Sequence, residues 1–169
     1  MGSQKIDEKL YDIIKSSGIN LILSVPCAML KGLLDIIELK KEIQHLPVTR
    51  EEEGVGIAAG AFLGGKTPAI LMQNSGLGNS INAIKSLLQL YEIPVVFFIS
   101  HRGAEGEKIA AQIPMGEVTL DLLKCIGVEC FIVDSMEKME LISNAVKISQ
   151  NKRKPFGILL KRTLWGPLK

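Results

Sequence analysis

Thr49-Arg50-Glu51-Glu52-Glu53 sets three carboxylates where an apolar run ends and a segment of small residues begins: Gly54, Gly56, Ala58, Ala59, Gly60, Ala61, Gly64 and Gly65. Acids suit a first helical turn, because free N–H groups and the helix dipole favour negative charge there. Three in succession exceed what capping needs, and each glycine lowers helix propensity by up to about 1 kcal/mol relative to alanine. Such a helix implies the close approach of another backbone or of a flat ligand, with a carboxylate at its mouth able to share a proton. Further polar groups gather in short runs: Ser24-Val25-Pro26-Cys27, Gln73-Asn74-Ser75-Gly76-Leu77-Gly78-Asn79 and Ser100-His101-Arg102-Gly103, with Asp134 and Arg162 beyond. The 74–79 run offers backbone N–H groups and amides, as a helix-entering glycine loop does. It has neither the lysine nor the spacing of a phosphate loop, and G-x-G-x-x-G is absent too. An equally simple reading makes Ser75 or Asn79 a plain helix cap.

The elements that must position these groups alternate along the chain. Helical periodicity over Ile6–Ser17 stops at Gly18, and an apolar strand follows at Leu21–Val25. Helices are expected over Met29–Leu39, Glu51–Leu63, Leu77–Tyr91, Val118–Ile126 and Met136–Ser149. Strands are expected over His45–Thr49, Ala69–Met72, Val95–Ile99, Glu129–Val133 and Gly157–Leu160. Residues 101–116 show no period and read as a long loop or lid. Strands that are apolar throughout, alternating with helices, specify an α/β fold with a parallel sheet covered on both faces. In such sheets ligands bind beyond the carboxyl ends of the strands, where strand order reverses. The polar runs above all fall at strand ends.

Composition narrows the function. With 169 residues, 47% hydrophobic and 22% charged, the chain suits one domain spanning 1–169, with Met1-Gly2-Ser3 set aside as a vector remnant. A net charge of +2 with dispersed Lys and Arg gives no footprint for nucleic acid. No apolar run reaches the length of a membrane span and no leader-like segment opens the chain, so a cytoplasmic protein is expected. Cys27, Cys125 and Cys130 lack C-x-x-C spacing, which fits packing roles in a reducing compartment.

Taken together, these segments resemble the pyrimidine-binding half of thiamine diphosphate-dependent decarboxylases. In that family a glutamate opening this helix hydrogen-bonds N1′ of the aminopyrimidine; spacing to Gly60 matches Glu51, leaving Glu52 and Glu53 solvated or salt-bridged. Gln73–Asn79, His101-Arg102-Gly103 and Gln112-Ile113-Pro114-Met115-Gly116 are similar, more closely, to sulfopyruvate decarboxylase alpha subunits, with phosphonopyruvate decarboxylases next. The resemblance covers the chain from about residue 5. It implies a three-layer sandwich around a six-stranded parallel sheet.

The resemblance also implies an activity and a set of roles. The activity is nonoxidative decarboxylation of a 2-keto acid, 3-sulfopyruvate giving sulfoacetaldehyde and carbon dioxide on the way to coenzyme M. Glu51 is then the catalytic proton partner, and Pro26, Asn74, Gly76 and Asn79 join it at the cofactor. Ser75, His101, Arg102 and Gln112 face the substrate, with Arg102 and His101 at its sulfonate and Gln112 acting if the 101–116 segment folds over the site. Arg50 and Lys108 are weaker candidates. For Arg102 a salt bridge to Glu105 or Glu107 competes with that role, for His101 a structural one does, and Cys27 and His45 read as structural.

The family's Gly-Asp-Gly and Asn-Asn motif, which holds the diphosphate through a metal, is absent, so no metal ligand is expected in this chain. A beta subunit bearing that motif and the Mg2+ is implied, in a hetero-oligomer with at least two of each chain. Two other readings remain: the same chemistry on phosphonopyruvate, and a noncatalytic regulatory or structural subunit.

Overall fold

The computed structural model describes residues 2–104 and 106–166. Strands β1 (Leu21–Ser24), β2 (Gln44–Pro47), β3 (Pro68–Gln73), β4 (Val96–His101), β5 (Glu129–Val133) and β6 (Phe156–Lys161) form a parallel sheet. Their order is β2-β1-β3-β4-β6-β5. From β1 the chain moves outward to β2, then returns to the other side of β1 for β3. The order therefore reverses between β1 and β3, and the loops leaving those strands diverge to open a crevice.

Helices α1 (Gly2–Ser16), α2 (Lys31–Lys40) and α6 (Glu140–Lys152) cover one face, and α3 (Glu51–Leu63), α4 (Asn74–Ala83) and α5 (Ile113–Cys125) the other. The pleat sorts the side chains: Val96 and Phe98 of β4 pack toward α1 and α6, while Phe97 and Ile99 pack toward α3, α4 and α5. Both central strands are buried on both faces. Each such Leu, Ile or Phe contributes about 1.5–3 kcal/mol relative to exposure, which fixes their register firmly. This is the three-layer α/β sandwich that the alternation of elements predicts. No helix among the described residues is long and apolar enough to cross a membrane. Met1, the first residue set aside as a vector remnant, lies outside the described residues.

Three expectations need correction. The strand anticipated over His45–Thr49 as buried is β2, an edge strand that is mostly exposed and ends at Pro47. His45 nonetheless sits inward, its Nε2 2.8 Å from the Ser24 hydroxyl and its Nδ1 on Glu38, which confirms a structural part. The 74–79 run is no loop: Gln73 is extended (φ −80°, ψ 155°) and α4 begins at the next residue, continuing as a π-helical stretch over Ile84–Gln89. Neither Ser75 nor Asn79 caps it, since the capping position is Gln73.

The segment after β4 is shorter than a lid 16 residues long, because α5 starts at Ile113 with Pro114 in its first turn. Its base is a backbone crossing. Gly103 has φ +76°, and a Cβ there would stand 1.9 Å from the Gln112 carbonyl oxygen. A Cβ on Gly116 would stand 2.2 Å from the Gly103 carbonyl carbon. Gly116→Ala is expected to lower stability by about 1–3 kcal/mol through this overpacking. Urea unfolding should show a lower midpoint at constant slope; an unchanged midpoint would mean that the crossing yields without cost.

Candidate active site

The three acids of α3 separate as a helix requires, each turned about 100° from the last. Glu52 turns outward to Arg50, Oε1 to Nη2 at 3.0 Å. Glu53 reaches back past the capping position, accepting from the Thr49 amide at 3.2 Å and the Thr49 hydroxyl at 2.6 Å. Those two bonds hold its carboxyl below the usual range, and they satisfy an otherwise orphan donor at the helix start. Glu51 alone turns in, 8% exposed, on the face that carries Gly54, Val55, Ala58 and Ala59.

Glu51 meets the start of α4. A Cβ on Gly76 would lie 2.3 to 2.5 Å from its Cγ, Cδ and Oε1, so the carboxylate occupies the space that a side chain at 76 would fill. Asn79, one turn along, donates Nδ2 to Glu51 Oε2 at 3.3 Å. Oε1 accepts no hydrogen bond among the described residues. A buried carboxylate with one oxygen held and one open, at the crevice between β1 and β3, fits a cationic or N–H-bearing ring edge. The opposite side of α3 is open: a Cβ on Gly56 or Gly60 would meet nothing within 4 Å, and Ile57 and Leu63 are exposed beside them.

Asn74, expected among the cofactor ligands, is fully buried and braces the fold instead. Its Nδ2 donates to the Arg102 carbonyl at 2.9 Å and the Thr119 hydroxyl at 2.8 Å, and its Oδ1 accepts from the Arg102 amide at 3.2 Å. It joins the ends of β3 and β4 to α5, with both amide protons committed. Ser75 is exposed and accepts from Gln73 Nε2 at 3.0 Å.

That same Gln73 nitrogen donates to Gln112 Oε1 at 2.6 Å, so Gln112 does reach over the strand ends. Pro26 is exposed on the β1 loop, and the neighbouring Cys27 is buried with its Sγ 3.1 Å from the Ser100 hydroxyl. The packing role expected of Cys27 agrees with this.

Arg102 realises the competing reading. Its Nε and Nη2 bond Glu107 Oε2 and Oε1 at 2.7 and 3.0 Å, with side-chain exposures of 16% and 6%. Glu105, the other suggested partner, lies outside the described residues. Glu107 also accepts from the amides of Gly103, Lys108 and Ile109. The Arg102 guanidinium above all, then the amides of Ile109 and Gly103, hold its carboxyl down at about 2. His101 is 6% exposed and lies on the α5 side, its Nε2 3.0 Å from the Gly116 carbonyl. Lys108 is exposed, and Arg50 is engaged with Glu52.

Three residues at the site escaped the sequence reading. Gln73 stood in a recognised run but had no assigned role, and its position as last residue of an apolar strand was the available signal. Lys161 and Thr163 flank the end of β6, where Arg162 alone drew notice.

A sheet of this order, with a buried carboxylate opening the helix after β2, defines a cofactor-binding half-domain of thiamine-dependent enzymes. The match is direct: the family model described as thiamine pyrophosphate enzyme, N-terminal TPP binding domain, covers residues 4–124. The chain belongs to this family, and thiamine diphosphate is the cofactor its site serves.

Among its relatives is the sulfopyruvate decarboxylase subunit alpha of Methanococcus maripaludis, 50% identical over 94% of this chain and 95% of that one. A sulfopyruvate decarboxylase of Methanosarcina acetivorans is 36% identical over 94% of this chain but only 41% of its own length. A phosphonopyruvate decarboxylase of Streptomyces viridochromogenes is 36% identical over 85% of this chain and 37% of its own.

Replacing Gly76 with alanine should displace the Glu51 carboxylate and leave the helix intact. The expected result is a loss of about 100-fold or more in thiamine-dependent turnover, with unfolding free energy changed by less than about 1 kcal/mol. Full activity in Gly76→Ala would show that the carboxylate need not lie where it does.

Proposed function

We propose that this chain is the pyrimidine-binding subunit of a two-chain sulfopyruvate decarboxylase in the cytoplasm, converting 3-sulfopyruvate to sulfoacetaldehyde and carbon dioxide toward coenzyme M. The observation that carries it is the buried Glu51 carboxylate with Oε1 open against Gly76. When bound, thiamine diphosphate supplies the electron sink that lets the carboxylate of a 2-keto acid leave as carbon dioxide. Glu51 Oε1 would hold the proton at N1′ of the pyrimidine, while Asn79 fixes the other oxygen and Gly76 keeps the space clear. Gln73 and Gln112 would close the strand ends against water, and His101 and Arg102 mark the side of the rim that receives the sulfonate.

A beta subunit is needed for the rest. This chain has no Gly-Asp-Gly or Asn-Asn segment, so the diphosphate and Mg2+ would be held by the partner. In support, the same stretch of sequence makes up 41% of the longer methanosarcinal relative, which leaves room there for a diphosphate domain. The open face of α3, with Gly56, Ile57, Gly60 and Leu63, suits the partner's contact, in a hetero-oligomer with at least two of each chain.

The full chain alone should turn over no sulfopyruvate, and it should become active with a beta subunit and thiamine diphosphate. In that assembly Glu51→Gln should lower kcat by about 100-fold or more, the size of a lost proton-transfer role. Unchanged turnover in the variant would remove Glu51 from the chemistry, and activity of the isolated chain would refute the shared site.

Similarity to the streptomycete enzyme favours a second substrate, since sulfonate and phosphonate share a tetrahedral anionic shape. Sulfopyruvate is expected to have the higher kcat/KM of the two. The opposite order would make this a phosphonopyruvate decarboxylase.

A further inference from the structure

Beyond the crevice that holds Glu51, the carboxyl ends of β4, β5 and β6 enclose a second hollow of about 190 Å³, lined by His101, Arg102, Glu107, Asp134, Lys161 and Arg162 among others. That is several times the roughly 30 Å³ share of one water molecule in the liquid. Its charges are unevenly matched. Glu107 is taken by Arg102, and Asp134 by Lys138 at 2.9 Å. Lys161 and Arg162 form no ion pair among the described residues, and although Asp134 feels the Lys161 charge, three cations against two carboxylates leave the lining with an excess of positive charge.

The wall adds a second, independent sign. His101 is buried, and its Nδ1 has no hydrogen-bond partner among the described residues. Its Nε2 points at the Gly116 carbonyl, which can only accept, so Nε2 carries the hydrogen. Nδ1 is then left as an acceptor, for a water or a hydroxyl that a bound group brings to it. A buried ring nitrogen without a partner, in a lining with an excess of positive charge, calls for a polar occupant.

We propose that this hollow binds a small tetrahedral oxyanion group, a sulfonate, sulfate or phosphate, with Lys161 and Arg162 as its charge partners and His101 in its wall, where Nδ1 accepts from a water or hydroxyl accompanying the anion. Arg102 frames the site through Glu107 and does not itself neutralise the anion. Two sources share this chemistry: the substrate's own anionic head, which rests on the functional reading above, or a separate effector anion. In either case Lys161 and Arg162, at the end of the strand farthest along the chain, set the preference for an anion.

Titration of the full chain with inorganic sulfate, and separately with phosphate, tests this by backbone amide NMR. Saturable shifts centred on His101, Lys161 and Arg162 are expected, weakened about tenfold or more in Kd by the double change Lys161→Gln and Arg162→Gln, as the loss of charged hydrogen bonds implies. No saturable shift at the hollow, or shifts that survive the double change, would overturn the site.

In the assembled decarboxylase, sulfate competing with the 2-keto acid, together with a raised KM in the double variant, assigns the hollow to the substrate's head. Sulfate that alters kcat and leaves KM alone assigns it to an effector. Binding that moves neither parameter marks an adventitious ion only and overturns the proposal. Sulfate binding retained by a chain whose assembly decarboxylates nothing would instead sink the functional reading and leave the anion site standing.

Discussion

The contact on which the rest of the site depends is the meeting of Glu51 with Gly76. A carboxylate is costly to bury without a partner, and here it is buried because α4 begins immediately after β3 and presents a residue without a side chain at its third position. Any larger residue would drive Glu51 back into solvent beside Glu52 and Glu53. Asn79 reaches Glu51 only because it lies one turn beyond Gly76 on the same face. The geometry of an acid on one helix is thus set by two residues on another. Behind both helices, β1 and β3 are neighbours in the sheet, buried along almost their whole length.

The second anchor is Asn74. Its side chain takes the place of a β-ladder partner for Arg102, bonding both the amide and the carbonyl of a residue just past the end of β4. This pins the point where the chain leaves the strand, and the Thr119 hydroxyl ties the same amide to α5. From there Glu107 gathers three backbone amides and the Arg102 guanidinium, so a segment with no regular secondary structure acquires a polar core of its own. Folding it requires no apolar contact that a hydrophobic pattern would reveal.

That explains where reading the sequence succeeds and where it stops. Apolar runs announce β3 and β4 because both faces of those strands are buried, and the alternation of elements gives the sandwich. Glu51 could be told from Glu52 and Glu53 through the resemblance, and helix geometry independently sends the three in different directions. Edge placement is another matter: β2 keeps its strand form with exposed side chains, since neighbours in space decide burial and a sequence does not display them. The start of α4 was hidden because glycines at 76 and 78 imitate a loop, although one of them is there to admit Glu51. Asn74 and Arg102 were assigned to ligands from the resemblance and their place at strand ends. Glu107, five residues from Arg102, was visible as a possible partner, whereas Thr119 lies 45 residues from Asn74 with nothing in the pattern to link the two.

The site thereby divides its charge. At the reversal of strand order stands a single carboxylate with an open oxygen, and toward β6 lie cations that only partly cancel against acids. Arg102 is committed to Glu107, so its guanidinium is neutralised within the segment that leaves β4. Asn74 holds the Arg102 backbone through both its amide and its carbonyl, which fixes where that ion pair forms. The ion pair weighed as an alternative to sulfonate binding is thus the one the fold builds, and it leaves Lys161 and Arg162 as the cations on the β6 side that form no ion pair among the described residues.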